Sequence, residues 1–196
     1  MIYYIMGKSA CGKDTVYRKV REDYPELAPI VLYTTRPMRA GEQDGVTYHF
    51  IDRDQLRAFE EAGKVIEKRA YHTVKGLWEY ACIDDGQVRT GDDAPDYLAI
   101  GTLEAYEKMK AYYGAEMITP IYLYASDETR LQRAVKRERE QAEPNYMEIC
   151  RRFLADEGDF SADKLAEAGI TDGYEIEVFD DCYAKVRETL ARGGHA

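Results

Sequence analysis

The stretch "GKSACGKDT" at residues 7–15 has the spacing with which a backbone grips a polyphosphate. Gly7 and Gly12 allow a tight turn, Lys13 brings a mobile cation to the outer phosphates, and Lys8, Ser9, Ala10 and Cys11 contribute converging backbone N–H groups. The loop directly follows the apolar run "IYYIM" and precedes a helical stripe, the context such a loop requires. Asp14 stands where the pattern G-x-x-x-x-G-K-[ST] has a hydroxyl. Thr15, one step later, restores one near the phosphates and is the candidate magnesium ligand. Asp14 fits two roles, holding a metal's water shell or complementing the helix dipole. No N-K-x-D stretch is present, which argues against a GTP-driven switch.

Two further clusters suit phosphate. In "YTTRPMRAGEQDGVTYHF" (33–50), Arg36 and Arg39 lie three apart in a Pro/Gly loop and Tyr48 follows. Guanidinium forks bind phosphate oxygens in pairs, and a phenol can donate to the same anion. In "DETRLQRAVKRERE", Arg130, Arg133 and Arg137 fall on one helix face, with Leu131 and Val135 expected on the opposite, apolar one.

At this point the chain resembles the guanylate kinases. Their GMP-binding lobe reads T-T-R-x-x-R-x-G-E-x-x-G-x-x-Y-x-F, and residues 34–50 match every fixed place. Nineteen residues beyond the tyrosine the family carries a glutamate, here Glu67 in "VIEKRA". The resemblance implies that Arg36, Arg39 and Tyr48 hold the GMP phosphate. It also implies that Glu67 accepts hydrogen bonds from the guanine N1–H and exocyclic amine, a pairing adenine cannot reproduce. A family Y-G-[ST] element corresponds to Tyr80, Ala81 and Cys82 after an insertion around "HTVKGL", which adds Tyr80 and Cys82 to the GMP set, with Tyr71 as the alternative tyrosine. The family's R-x-x-x-R matches Arg133 and Arg137, followed by a lengthened lid and a third arginine, Arg152 or its neighbour Arg151. With Lys13 these arginines would neutralise the transferring phosphoryl group, with ATP as donor and Mg²⁺ as cofactor.

The same resemblance marks departures. A guanine-contacting serine becomes Leu32, and the aspartates of an L-D-I-D segment become Ala99 and Gly101 in "LAIGT". Asp96, Thr102 and Glu104 are the candidates to compensate. Two other readings stay open. Ribose 1,5-bisphosphate phosphokinases resemble guanylate kinases and share the G-K-D loop, although Glu67 would then have no base to read. Non-catalytic guanylate-kinase-like domains bind phosphopeptides, but they tend to lack a working phosphate loop.

These residues need a frame. "IYYIM", "IVLYTTR" (30–36), "YLAIGT", "ITPIYLYAS" and "YEIEVFDD" read as strands, and "KVIEKRAYHT" and "GLWEYACI" as a pair. Helices are expected at 13–23, at "IDRDQLRAFEEAG" behind a capping signal of Asp52 and Gln55, at "LEAYEKMKAYYG", from Ser126 to about Glu140, near 146–155, and at "YAKVRETLAR". Strand–loop–helix repetition predicts an α/β chain with a parallel sheet flanked by helices, and the resemblance implies the P-loop NTPase fold. One guanylate-kinase-like domain is expected: core 1–32, 96–137 and 153–196, nucleoside monophosphate lobe 33–95, lid 138–152.

Composition excludes other classes. The chain of 196 residues has 27 basic and 37 acidic residues and a net charge of −10, which repels nucleic acid and anionic membranes. No apolar run approaches the roughly 20 residues that span a bilayer, and no signal peptide is expected. The four cysteines are scattered, with no C-x-x-C and only three histidines, so neither a zinc site nor a disulfide framework is expected. The expectation is a cytoplasmic enzyme, monomer or homodimer, whose partners are the small-molecule nucleotides ATP and GMP.

Overall fold

The computed structural model describes residues 1–39, 41–73, 76–91, 93–141 and 143–195. Val74 and Lys75 in the expected insertion, Asp92, and Ala142 in the expected lid lie outside the described residues.

Five parallel strands form the central sheet. They are β1 (Ile2–Met6), β2 (Ala28–Pro29), β7 (Tyr97–Gly101), β8 (Ile118–Tyr124) and β9 (Tyr174–Glu175), in the order β2-β7-β1-β8-β9. β1 lies between β7 and β8 in register, with Met6 beside Gly101 on one side and Tyr122 on the other. Side chains alternate across a strand, so β1 feeds two cores. Ile2, Tyr4 and Met6 pack with Leu103, Tyr106 and Met109 of α3 (Leu103–Tyr113). Tyr3 and Ile5 pack with Val16 and Val20 of α1 (Lys13–Asp23) and with Tyr183, Val186 and Leu190 of α7 (Phe179–Arg192). Both faces are covered, which is why the strands read as continuous apolar runs.

A second sheet stands apart, with order β4-β3-β6-β5, built from β3 (Tyr33–Thr34), β4 (His49–Phe50), β5 (Val65–Thr73) and β6 (Gly76–Ile83). β5 and β6 pair antiparallel. α2 (Arg53–Glu61) closes this sheet's own small core, Leu56 meeting Tyr33, Ala81 and Ile83. Its entry is a full capping box: Asp52 accepts from the Gln55 amide and the Gln55 side chain accepts from the Asp52 amide. Between β8 and β9 the described residues form three helices: α4 (Asp127–Arg139), α5 (Tyr146–Asp159) and α6 (Ala162–Glu167).

Several expectations need correction. "IVLYTTR" is not one strand. The chain leaves the central sheet after Ala28–Pro29 and joins the second sheet at Tyr33–Thr34. The break is bridged by the Gln87 side chain, which accepts from Val31 N at 2.8 Å and donates back to Val31 O at 3.3 Å. "YEIEVFDD" supplies only Tyr174–Glu175; Val178 caps α7 and Asp180 and Asp181 occupy its first turn, where the helix dipole favours acids. α5 runs four residues past the expected end at 155, and α6 behind its Ser161 cap was not expected. On α4 the faces are reversed: Arg130 is buried and Leu131 is exposed.

Candidate functional site

The loop 7–12 leaves the carboxyl end of β1, the central strand, where open α/β sheets bind ligands. A Cβ on Gly7 would sit 2.1 Å from the Leu123 carbonyl oxygen, so only glycine lets the loop pass β8 this closely. Gly12, at φ 118°, is the N-cap of α1 and has no side chain to satisfy the first-turn amides. Thr15 N donates to the Gly12 carbonyl oxygen at 3.1 Å, and helix-start amides not used in this way make an anion site. Lys13 Nζ donates to the carbonyl oxygens of Gly7 and Lys8 at 2.7 and 2.9 Å. Asp14 and Thr15 are exposed on the first turn of α1 beside the loop. Cys11 is buried, and burial pushes its thiol pKa up, so it is a packing residue.

The loop is braced by Arg130, which shares a charged run with Arg133 and Arg137 but turns inward. Arg130, with a side chain 1% exposed, donates Nη2 to Asp156 at 2.9 Å and Nε to Ser9 O at 3.2 Å, and stacks on Phe153 at 4.6 Å. Asp156 in turn accepts from Ser9 N at 2.8 Å and Ser9 Oγ at 3.2 Å. Lys8 pairs with Glu157 at 2.7 Å. α4 and α5 therefore hold the loop through an ionic knot whose inner pair, Arg130 and Asp156, is buried. An arginine run does not say which member turns inward. Here the clue was Ala134, one turn after Arg130, which makes the buried stripe of α4. Arg133 also serves the loop: Nη1 donates to Cys11 O at 2.8 Å and Nη2 to Ile176 O at 2.9 Å.

In the second sheet Arg36 is buried and locked in a two-pronged pair with Glu42, at 2.6 and 2.5 Å. This pair draws the Glu42 carboxyl pKa down to about 2. The Arg36 guanidinium lies 5.2 Å from the ring centres of both Tyr48 and Phe50. Tyr80 lies edge-on to Tyr48 at 5.6 Å and to Tyr71 at 5.7 Å, so both candidate tyrosines belong to one aromatic cluster. Tyr80 is the member beside Arg36, and Tyr71 is exposed. Arg39 is exposed; its amide donates to Glu42 at 2.8 Å and its guanidinium sits 5.8 Å from the Trp78 ring centre.

Further along β5, Glu67 is buried opposite Cys82 of β6. Arg69 Nε pairs with a Glu67 oxygen at 2.5 Å, and among the described residues no other group donates to the Glu67 carboxylate. Burial pushes the Glu67 carboxyl upward against the opposing pull of Arg69. Cys82 is likewise pushed up to about 12 by burial. Leu32 packs against the core, and a Cβ on Gly101 would meet the Tyr4 hydroxyl at 2.1 Å. A carboxylate at 101 would thus require Tyr4 to move.

Between these parts lies a cavity of about 430 Å³. Its lining brings together Ser9 and Ala10 of the loop, Arg39 of the second sheet, Arg137 of α4 and Arg152 of α5. Arg133 is not in the lining, being held on the loop's outer side. Arg151 and Arg152 both grip Glu148, at 2.8 and 2.7 Å, but of the two only Arg152 lines the cavity. The lining sets Arg39, Arg130, Arg137 and Arg152 against Glu138, Glu143, Glu148 and Asp156, with Arg130 paired to Asp156 and Arg152 to Glu148, which leaves Arg39 and Arg137 as the arginines open to an anion.

Comparison with known proteins agrees with this arrangement. The family model described as guanylate kinase matches residues 2–76. A guanylate kinase of Novosphingobium aromaticivorans is 32% identical over 200 residues, covering 97% of this chain and 81% of that protein. One of Cupriavidus metallidurans is 28% identical, covering 96% of this chain and 82% of that protein. Similarity to a Frankia casuarinae guanylate kinase is higher but shorter, 48% over 63 residues, and spans 32% of this chain and 34% of that protein's length. The crystal structure of a guanylate kinase from Anaplasma phagocytophilum superposes with a TM-score of 0.61 at 17% identity, covering all of this chain and 87% of that one, which establishes the P-loop NTPase α/β fold. With its loop, its arginine segment and a full-length relative in accord, the chain belongs to the guanylate kinase family.

Proposed function

We propose that the protein transfers the γ-phosphoryl group of ATP to GMP, yielding ADP and GDP. One observation carries this reading: a single cavity is faced by the phosphate loop, by Arg39 of the expected acceptor lobe and by Arg137 and Arg152 of the helices above. Donor and acceptor phosphates held by those groups would meet in it.

In this reading the first-turn amides of α1 and Lys13 hold the ATP phosphates. Arg36, Arg39, Tyr48 and Tyr80 take the GMP phosphate, with the Glu42 pair fixing the orientation of Arg36. Glu67 offers its carboxylate oxygens to the guanine N–H donors, and Cys82 lines that end. An oxygen of the GMP phosphate attacks the γ-phosphorus, the bond from it to the β-phosphate oxygen breaks, and ADP leaves with the electron pair. Little covalent work is left to the protein, so Arg137 and Arg152 act by offsetting charge on the moving group, while Arg133 and Arg130 keep the loop in shape. Thr15 and Asp14 present hard oxygen donors at the loop, and among the described residues no cluster of three or more His, Cys, Asp or Glu forms a cage. That donor set fits a magnesium ion brought in on the nucleotide, which Thr15 and Asp14 would help hold and which would offset phosphate charge. Closure of the lobe 33–95 and lid 138–152 onto the core would exclude water as a competing acceptor. No helix among the described residues is long and apolar enough to cross a membrane, and a cytoplasmic setting suits both substrates.

The test is ADP release with ATP and Mg²⁺ against GMP, dGMP, AMP, UMP, CMP and ribose 1,5-bisphosphate. Turnover selective for GMP is expected. Turnover of the sugar bisphosphate alone would overturn the reading, as would phosphopeptide binding without any phosphoryl transfer.

A further inference from the structure

We propose that Arg69 is a specificity-determining residue that reads the carbonyl oxygen of the acceptor's base, beside the N–H donors taken by Glu67. The inference rests on the GMP reading above and deepens it.

Glu67 and Arg69 are two apart on β5, so both side chains leave the same face of the strand. The Glu67 side chain is 1% exposed, and among the described residues nothing but Arg69 Nε approaches its oxygens as a donor. A buried carboxylate in that state calls for N–H groups from a ligand. Arg69 is set differently. Its Nε faces Glu67, and its Nη1 donates at 3.0 Å to Thr102 Oγ1, the side-chain cap of α3. Those two contacts fix the plane of the guanidinium. Among the described residues no hydrogen bond uses Nη2, and the side chain keeps 14% exposure.

The pair thus presents two acceptors followed by a planar, charged donor. That sequence complements a base edge of two adjacent N–H donors followed by a carbonyl, which is the edge of guanine. Adenine, with an acceptor nitrogen beside its amine, would put its ring nitrogen against a carboxylate. The surroundings leave this work to Arg69. Leu32 is packed on the core, Ala99 has no polar side chain, and the Tyr4 hydroxyl, which donates to the Thr102 carbonyl at 3.1 Å, occupies the space a side chain at 101 would need. Arg69 also supplies a counter-charge that opposes the upward push of burial on the Glu67 carboxyl.

The test compares wild type, Arg69→Met and Arg69→Lys by kcat/KM for GMP, 6-thio-GMP and IMP. Sulfur is a poor acceptor, so the GMP to 6-thio-GMP ratio reports contact with the carbonyl. IMP lacks the exocyclic amine, so the GMP to IMP ratio reports Glu67. Wild type should prefer GMP over 6-thio-GMP by about 10- to 100-fold, the worth of a hydrogen bond from a charged group. In both variants that ratio should collapse to within about threefold while the GMP to IMP ratio holds. Arg69→Lys keeps the charge beside Glu67, so it serves if the methionine variant does not fold. An unchanged 6-thio-GMP ratio in the lysine variant would overturn the proposal. Loss of the GMP to IMP ratio alone would overturn it too, making Arg69 only a support for Glu67. Wild type that uses ribose 1,5-bisphosphate and not GMP would overturn the underlying reading instead, with Arg69 falling alongside it.

Discussion

Replacing Arg130 by methionine should destabilise the protein and weaken its grip on ATP together. The guanidinium is 1% exposed and its main partner, Asp156, is 12% exposed, whereas Asp127 and Glu157 are 60% and 45% exposed. Only the Asp156 contact is a buried pair, so the outer two contribute little beyond solvent-screened attraction. Removing one member of a buried pair leaves the other charge uncompensated and costs about 3–5 kcal/mol. For a domain of this size that lowers the melting temperature by about 6–20 °C. Asp156 also holds the Ser9 amide and hydroxyl, so the loop loses its anchor and the KM for ATP should rise. The assays are urea and thermal unfolding with ATP-dependent turnover on the same samples. Adding Asp156→Leu removes both charges. Stability should then return to within about 1 kcal/mol of wild type, because the buried charge is gone. ATP affinity should stay impaired, because Ser9 then loses its Asp156 acceptor as well. Asp127→Asn, a surface control, should change stability by less than about 1 kcal/mol. The reasoning is refuted if Arg130→Met unfolds within about 0.5 kcal/mol of wild type, or if the double variant is no more stable than the single one.

Lys13→Ala should reduce turnover by about 10²- to 10³-fold while leaving GMP affinity intact, checked by steady-state kinetics and GMP titration calorimetry; retained turnover would remove Lys13 from the mechanism. Gly7→Ala should cost at least about 2 kcal/mol, since the new Cβ would lie 2.1 Å from the Leu123 carbonyl oxygen; unfolding titration measures it. The Arg36–Glu42 pair gives a pH signature. Glu42 falls from 4.5 to about 2 in the folded chain, so its contribution is present above pH 4.5 and is lost as pH falls toward 2. Glu42→Gln should therefore cost about 1–3 kcal/mol at pH 7, and the gap to wild type should close across that window in acid unfolding curves; a constant gap would refute the assignment.

The local features were legible because each is written in a few consecutive residues. The glycine loop, the Asp52–Gln55 capping box, the buried strands of the central sheet and the arginine–tyrosine segment all depend on short-range spacing, which a one-dimensional pattern records directly. Even the β5–β6 pairing follows from two strand-like runs close together in sequence. What the spacing could not supply was any fact created by contact between distant segments. Arg130, Arg133 and Arg137 share one charged run, yet the fold buries the first on Asp156, spends the second on loop carbonyls and leaves the third facing the cavity. The strand expected at 30–36 shrinks to Tyr33–Thr34 because the chain pairs with β7 at Ala28–Pro29 and then crosses to β6, a choice made by partners some 50 residues away or more. Likewise Arg69 was one more charge in "EKRA" until packing set it against Glu67 and Thr102. Chemistry that lies in residue type and near spacing is determined by the sequence alone. Which of several identical side chains is desolvated, and against what, is decided only when the chain folds, because burial and pairing depend on neighbours distant in sequence.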